Sequence, residues 1–287
     1  MSRRWIRWGA WLVALSLTLV PMAGWAVNTF VTQTLGDDPY VLLVIGSDQG
    51  PPRPGPIDRA RADGFHLVVV SPDRTEATVL SIPRDTWVSI PGVGRGKINA
   101  SLAHGPGKVA ETAEAVTGLH VDDWVLTGFR GIVKGVDALG GVTVDVETRL
   151  SDRSGAHSDL RPGLQTLDGD DALAYLRDRK SRSRGDLDRA AAGGKFLTSV
   201  HRQLHRSATS LSDLVDLLAV FQRHAETSLS TAELLALGKV ALDLDPSNVQ
   251  RVRAPVSLGS VGSASVVFLT SRAEAIFADL RDGVHDG

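Results

Sequence analysis

The chain has 287 residues, of which 43% are hydrophobic and 22% charged, enough for a sizeable core and too apolar for a disordered polymer. Lys and Arg number 31 against 33 Asp and Glu, a net charge of −2, so the basic surplus of a nucleic-acid binder is missing and no nucleic-acid partner is expected. There is no cysteine, which excludes disulfides, thiolate nucleophiles and Cys-held metals. Of the 31 basic residues 25 are Arg, so a strong anion site here is expected to be built from guanidinium groups.

Arg3, Arg4 and Arg7 open the chain, and no charged residue follows from Trp8 to Gly36. About twenty apolar residues in a helix span the hydrocarbon core of a bilayer. Trp5, Trp8 and Trp11 at one end and Trp25 at the other match an aromatic belt, and the arginines set the N-terminus inside. Residues 1–7 are therefore read as a cytoplasmic tail, 8–27 as a transmembrane anchor, 28–39 as a polar linker and 40–287 as an extracytoplasmic domain. A cleaved signal peptide is the competing reading, with Gly24-Trp25-Ala26 as its small-x-small site. Either way the domain works where ATP is absent, so a group transfer must draw on a bond already in its donor.

Tyr40 to Ile45 is a continuous apolar run, the pattern of a buried strand, and it ends in Gly46-Ser47-Asp48. Gln49 to Asp58 holds four prolines and two glycines and reads as a loop. Strands are expected over Phe65 to Val70, Ala77 to Ile82, Thr86 to Ile90, Val121 to Leu126, Val142 to Val146, Val249 to Ala254 and Val266 to Leu269. Helices are expected over Asn99 to His104, Lys108 to Val116, Gly131 to Leu139 and Asp168 to Arg177, and from Asp186 onward. Ser212 to Phe221, Ser230 to Leu242 and Ser271 to Leu280 complete them. Strands and helices are mixed throughout. The expected fold is one α/β (α+β) domain with a central mixed β-sheet flanked by helices.

Asp48 at the end of the first strand and Asp63 just before the second would meet at one sheet edge if those strands are neighbours. Two carboxylates without a His or Cys partner suit a hard cation such as Mg²⁺; ordinary turn aspartates are the simpler reading. Arg84 follows a strand and is preset by Pro83, so Arg84 and Asp85 could clamp an oxyanion or form a surface pair. Lys97-Ile98-Asn99 lies at a loop-to-helix junction. Six basic residues fall between Arg177 and Arg189, joining two helices with apolar faces, so this run is expected to be held in place.

Taken together, these segments resemble the LytR-CpsA-Psr family of cell-wall glycopolymer ligases. The matching segments are Gly46-Ser47-Asp48, Arg61-Ala62-Asp63, Ser81 to Gly92, Lys97 to Asn99, Val136 to Val142, Pro162 to Arg179 and Gly185 to Arg189. The resemblance implies transfer of a glycopolymer from a polyprenyl-pyrophosphate carrier to peptidoglycan, at the outer face of the cell membrane, with Mg²⁺. It implies Asp48 and Asp63 as metal ligands. Arg61, Arg84, Lys97, Arg177, Arg179 and Arg189 would bind the pyrophosphate, with Asp186 orienting them, and the lipid tail would lie in an apolar tunnel between sheet and helices. Asp63 or Asp85 would take the acceptor's proton. Two departures stand out: Ala192-Gly193-Gly194 where relatives commonly carry Arg and Gln, and Gly50 where Arg is common. They motivate an alternative role, a non-catalytic protein that holds or presents the lipid-linked polymer.

A reporter fused after Gly287 is expected to be active only outside the cytoplasm, and the mature chain to keep its first residue. Amino-terminal sequencing that begins near Val27 would show a cleaved signal instead.

Overall fold

Strand β1 (Tyr40–Ser47) is buried on both faces, which accounts for its lack of polar alternation. Val41, Leu43 and Ile45 point into one core, while Tyr40, Leu42 and Val44 face the other side of the sheet. The computed structural model describes residues 28–49, 56–208, 211–281 and 283. The expected anchor over residues 8–27, the tail before it and Gly50 lie outside them. Among the described residues no helix is long and apolar enough to cross a membrane.

β1 sits inside a six-stranded mixed sheet with β2 (Ala62–Val70), β3 (Ala77–Ser81), β6 (Asp123–Thr127), β9 (Ala225–Thr227) and β10 (Val249–Arg253), in the order β10-β3-β2-β1-β6-β9. β1 runs antiparallel to β2 and parallel to β6. Three two-stranded ribbons surround the sheet. They are β4 (Trp87–Ile90) with β5 (Gly94–Lys97), β7 (Val142–Val146) with β8 (Gly163–Leu167), and β11 (Val256–Val261) with β12 (Ala264–Leu269). One sheet face is covered by α2 (Pro106–Thr117) and α8 (Ser271–Leu280), through Val109, Ala113, Ile276 and Phe277. The other carries α5 (Asp186–Ser207), α6 (Leu211–His224) and α7 (Thr231–Asp243). A third cluster joins α3 (Phe129–Ala138) and α4 (Gly169–Arg177) to α5 and the β7–β8 ribbon, around Tyr175 and Phe196.

The expected linker over residues 28–39 is a correction. Residues 28–35 form a helix, α1, with Val31 and Leu35 buried in the core that α7 also lines. Arg74 Nη2 holds its end, donating to the Leu35 and Gly36 carbonyls at 3.2 and 2.9 Å. So short and polar a stretch is marginal as an isolated helix; burial of one face stabilises it here. Strands β5, β8, β9 and β11 were not expected either. Each is an edge or ribbon strand whose pairing partner, rather than its own pattern, makes it extended.

Helix α5 lies unusually close to the sheet. A Cβ at Gly194 would meet Ser81 Oγ at 2.5 Å, and one at Gly193 would meet His66 Nε2 at 2.5 Å. The two glycines of the departing Ala192-Gly193-Gly194 segment therefore let α5 settle on β2 and β3. Gly194→Val is expected to lower the free energy of unfolding by about 1–3 kcal/mol through overpacking. Urea denaturation checks this, and an unchanged midpoint would mean that α5 does not rest on the sheet through these glycines.

Candidate functional site

The β1–β2 pair ends in a register shift between Gly46 and Ser47. There Asp48 N–H donates to the Arg61 carbonyl at 3.0 Å, and Arg61 N–H returns to Asp48 Oδ1 at 3.2 Å. Asp63 follows as the second residue of β2 rather than just before it. Beyond β3 the chain turns at Pro83, where the Thr86 hydroxyl donates to the Pro83 carbonyl at 2.6 Å. Asn99 N–H donates to the Arg84 carbonyl at 3.2 Å. That turn aims the Arg84 guanidinium back at β2.

Four of the expected residues close a square of charge. Arg84 donates from Nη1 to Asp63 and from Nη2 to Asp186 Oδ2 at 3.1 Å. Arg189 donates from Nη1 to Asp63 Oδ2 at 3.0 Å, and its Nη2 lies 2.9 Å from Asp186 Oδ1. Burial alone would raise the Asp63 carboxyl, but Arg189 and Arg84 more than offset it and hold it below the usual carboxylate range. Burial likewise opposes the Arg84 charge, and Asp63 and Asp186 outweigh that and keep it firmly cationic. A guanidinium has five N–H donors; Arg84 commits two to hydrogen bonds in the square and Arg189 one, its Nη2 standing against Asp186 Oδ1 as an ion pair without a hydrogen bond. Arg84 Nε is buried with no hydrogen-bond partner among the described residues. The square is neutral as a whole, yet it retains fixed donors for an anion.

The remaining expected residues divide. Arg177 ends α4 with its guanidinium 4.6 Å over the Phe129 ring. It lies at the cavity described below, together with Asp63 and Arg189. Lys97 Nζ pairs with Asp85 Oδ1 at 2.7 Å, beside the square. Arg61 and Arg179 are exposed, outside the square. Arg182 is used locally: it donates to the Asp178 and Tyr175 carbonyls at 2.9 and 3.0 Å and stacks on Tyr175. Arg184 pairs with Asp188 at 2.8 Å.

Sequence reasoning missed Phe129 and Asp178. Asp178 is fully buried and organises the arginine run, accepting from Ser158 Oγ at 2.5 Å, Ser181 N at 3.0 Å and Ser181 Oγ at 2.8 Å. An Asp between two arginines reads as a surface charge pair; only the distant Ser158 shows its role.

Behind the square a cavity of about 390 Å³ opens between sheet and helices. Val44, Gly46, His66 and Val125 form its floor, and α3, α4, α5 and α6 its roof. Down α5 the lining runs from Arg189 to Phe196, Val200 and Leu204, from charge to hydrocarbon. The site thus pairs a mouth bordered by Arg177 and Arg189 with an apolar interior, a shape and polarity suited to a molecule with a charged head and a hydrocarbon tail.

The expected metal ligands, Asp48 and Asp63, come from neighbouring strand ends and are oxygen donors, the type a hard cation takes. No group of three or more His, Asp or Glu placed to hold a metal occurs among the described residues. Both oxygens of Asp63 accept from Arg84 and Arg189, and Asp48 Oδ1 accepts from Arg61 N–H, so Mg²⁺ here would share these carboxylates with their present donors and complete its shell with water and phosphate oxygens.

A model of the LytR_cpsA_psr family matches residues 23–281. A polyisoprenyl-teichoic acid–peptidoglycan teichoic acid transferase, TagU of Oceanobacillus iheyensis, is 32% identical over 207 residues, 70% of this chain and 62% of that one. The probable cell wall biosynthesis protein LcpB of Corynebacterium glutamicum is 35% identical over 190 residues, 66% of this chain and 42% of its own. The match thus spans less than two thirds of the length of these relatives. Among solved structures, gbs0355 of Streptococcus agalactiae superposes with a TM-score of 0.78 at 20% identity, over 88% of this chain and 89% of that one. TagT bound to LIIa-WTA does so with a TM-score of 0.71 at 25% identity, over 86% and 91%.

The depressed Asp63 carboxyl has a consequence for acid stability. A carboxylate whose folded pKa is lowered contributes stability above its unfolded value, near 3.8, and loses it as pH falls through the folded value. The stability difference between wild type and Asp63→Asn is therefore expected to hold from about pH 7 to about pH 5 and to close in stronger acid. Urea unfolding across that range measures it, and a difference that does not change with pH would remove Asp63 from the square.

Proposed function

The chain belongs to the LytR_cpsA_psr family, and we propose that it transfers a glycopolymer from a polyprenyl-diphosphate carrier to peptidoglycan, outside the membrane. The observation that carries this reading is the junction of the arginine-lined mouth with the apolar cavity. A polyprenyl tail fits the cavity, and a diphosphate fits the donors that the charge square leaves open. The names of the relatives, which speak of polyisoprenyl-linked teichoic acid and peptidoglycan, support it. So does the uncharged N-terminal segment, which would hold the domain at the surface where such carriers reside.

In this reaction a peptidoglycan hydroxyl attacks the sugar-side phosphorus. The bond from that phosphorus to the bridging oxygen breaks, and polyprenyl monophosphate leaves. Arg84 and Arg189, held by Asp63 and Asp186, present N–H donors to oxygens that gain negative charge. Arg177 adds a cation at the mouth, and the exposed Arg61 and Arg179 draw the anion in. Asp48 and Asp63 would hold Mg²⁺, which when bound would neutralise charge on the diphosphate oxygens. Of the two acids considered for the hydroxyl proton, Asp63 is engaged by two guanidinium groups and is a poor base. Asp85, beside Lys97, is the better one.

Purified chain, lipid-linked glycan, peptidoglycan oligomers and Mg²⁺ should release polyprenyl phosphate. Arg84→Ala, Arg177→Ala and Arg189→Ala should each slow release about 10²–10³-fold, the cost of one transition-state donor. Arg184→Ala, whose side chain pairs with Asp188 away from the square, should stay close to wild type, and chelation of the metal should stop turnover. Lipid binding without turnover in wild type would point to a presenting protein. Equal loss at Arg184 and Arg177 would reduce the mouth to a diffuse positive patch.

A further inference from the structure

His66 stands in the cavity floor, and none of the steps above uses it. It is 6% exposed, and its Nδ1 lies 2.9 Å from Ser81 Oγ. Ser81 is 2% exposed, and its hydroxyl has no other acceptor among the described residues. A buried hydroxyl proton needs an acceptor, so Ser81 donates to Nδ1. The proton of the neutral ring then resides on Nε2. Burial pushes the imidazole down to about 4, which keeps it neutral at ordinary pH.

Nε2 has no hydrogen-bond partner among the described residues. It faces two glycines of the cavity wall: a Cβ at Gly193 would lie 2.5 Å from it and one at Gly64 3.6 Å. Helix α5 gives its depth. Gly193 lies four residues beyond Arg189 on the same helix face, about 6 Å further from the mouth. Phe196 and Val200 begin the hydrocarbon lining beyond it. The N–H therefore stands at the neck, between the guanidinium groups and the apolar interior. His66 lines the cavity, so a phosphate oxygen at the neck can accept from this N–H.

We propose that His66 Nε2–H is the inner hydrogen-bond donor to the lipid-side phosphate of a polyprenyl diphosphate, holding the leaving group at the neck of the cavity. This rests on the transfer reading, because it needs a diphosphate at the mouth and a prenyl chain beyond it. Ser81 is the positioning residue that fixes the tautomer, and Gly193 and Gly64 leave room for the ring.

The test compares two probes on the full chain in detergent: geranylgeranyl diphosphate and the uncharged geranylgeraniol. His66→Leu should weaken the diphosphate by about 10–100-fold, the loss of one hydrogen bond to a charged group, and leave the alcohol nearly unchanged. His66→Gln, whose amide can place an N–H at a similar point, should recover most of the affinity. In wild type, the His66 Nε2–H proton resonance should move on adding the diphosphate and stay in place with the alcohol, which needs no variant to fold. Equal affinity in His66→Leu, equal loss for both probes, no recovery in His66→Gln or an unmoved resonance would each overturn the assignment. Wild type that binds the alcohol but not the diphosphate would overturn the transfer reading with it, whereas intact diphosphate binding in His66→Leu overturns the role of His66 alone.

Discussion

Two arginines and two aspartates that neutralise one another hold the mouth of this protein together. Arg84 and Arg189 each reach both Asp63 and Asp186, so the turn after β3, the start of β2 and the first turn of α5 meet at one point. Each charge is partly withdrawn from water, and withdrawal is costly unless an opposite charge sits close with good geometry. The square supplies that on every side. Removal of one corner would leave its neighbours partly buried and under-compensated, a heavier penalty than the loss of one surface ion pair.

Neutrality within the square is also what makes the arginines useful. A guanidinium without a carboxylate beside it would swing on a flexible stem. Here each stands between two carboxylates, Arg84 through two hydrogen bonds and Arg189 through one hydrogen bond and one ion pair, so both are positioned before any ligand arrives. The donors that remain then face an anion without further ordering. The arginine run follows the same division of labour. Asp178, Arg182 and Arg184 organise the loop and the helix start, while Arg177 and Arg189 border the cavity.

The cavity depends on close packing at one helix face and its absence at the next. Gly193 and Gly194 bring α5 down onto β2 and β3 near the mouth. Further along, Phe196, Val200 and Leu204 stand away from the floor and leave the space that α3 and α6 roof over. Charge at one end and hydrocarbon at the other are consecutive turns of a single helix, so the mouth and the cavity cannot shift independently.

Much of this was legible in the sequence because it is local. An uncharged run such as Tyr40–Ser47 has to be buried on both faces, Asp168 caps α4 with its own side chain, and Ser230 with Glu233 forms a capping box. The mixed sheet and the family resemblance follow from such patterns and from motifs read in order. Tertiary structure decided whatever depends on partners distant in the chain. It turned residues 28–35 from linker to helix by burying Val31 and Leu35, and it paired the ribbon strands. It drew Asp63, Arg84, Asp186 and Arg189 together while leaving Arg61 and Arg179 exposed. It also showed that the glycines at 193 and 194, which in sequence look only like lost side chains, face His66 and Ser81 across a gap too narrow for any side chain. Composition and periodicity report what a residue prefers. Only the packed chain reports which groups, more than a hundred positions apart, share the low-dielectric space in which their charges and hydrogen bonds count.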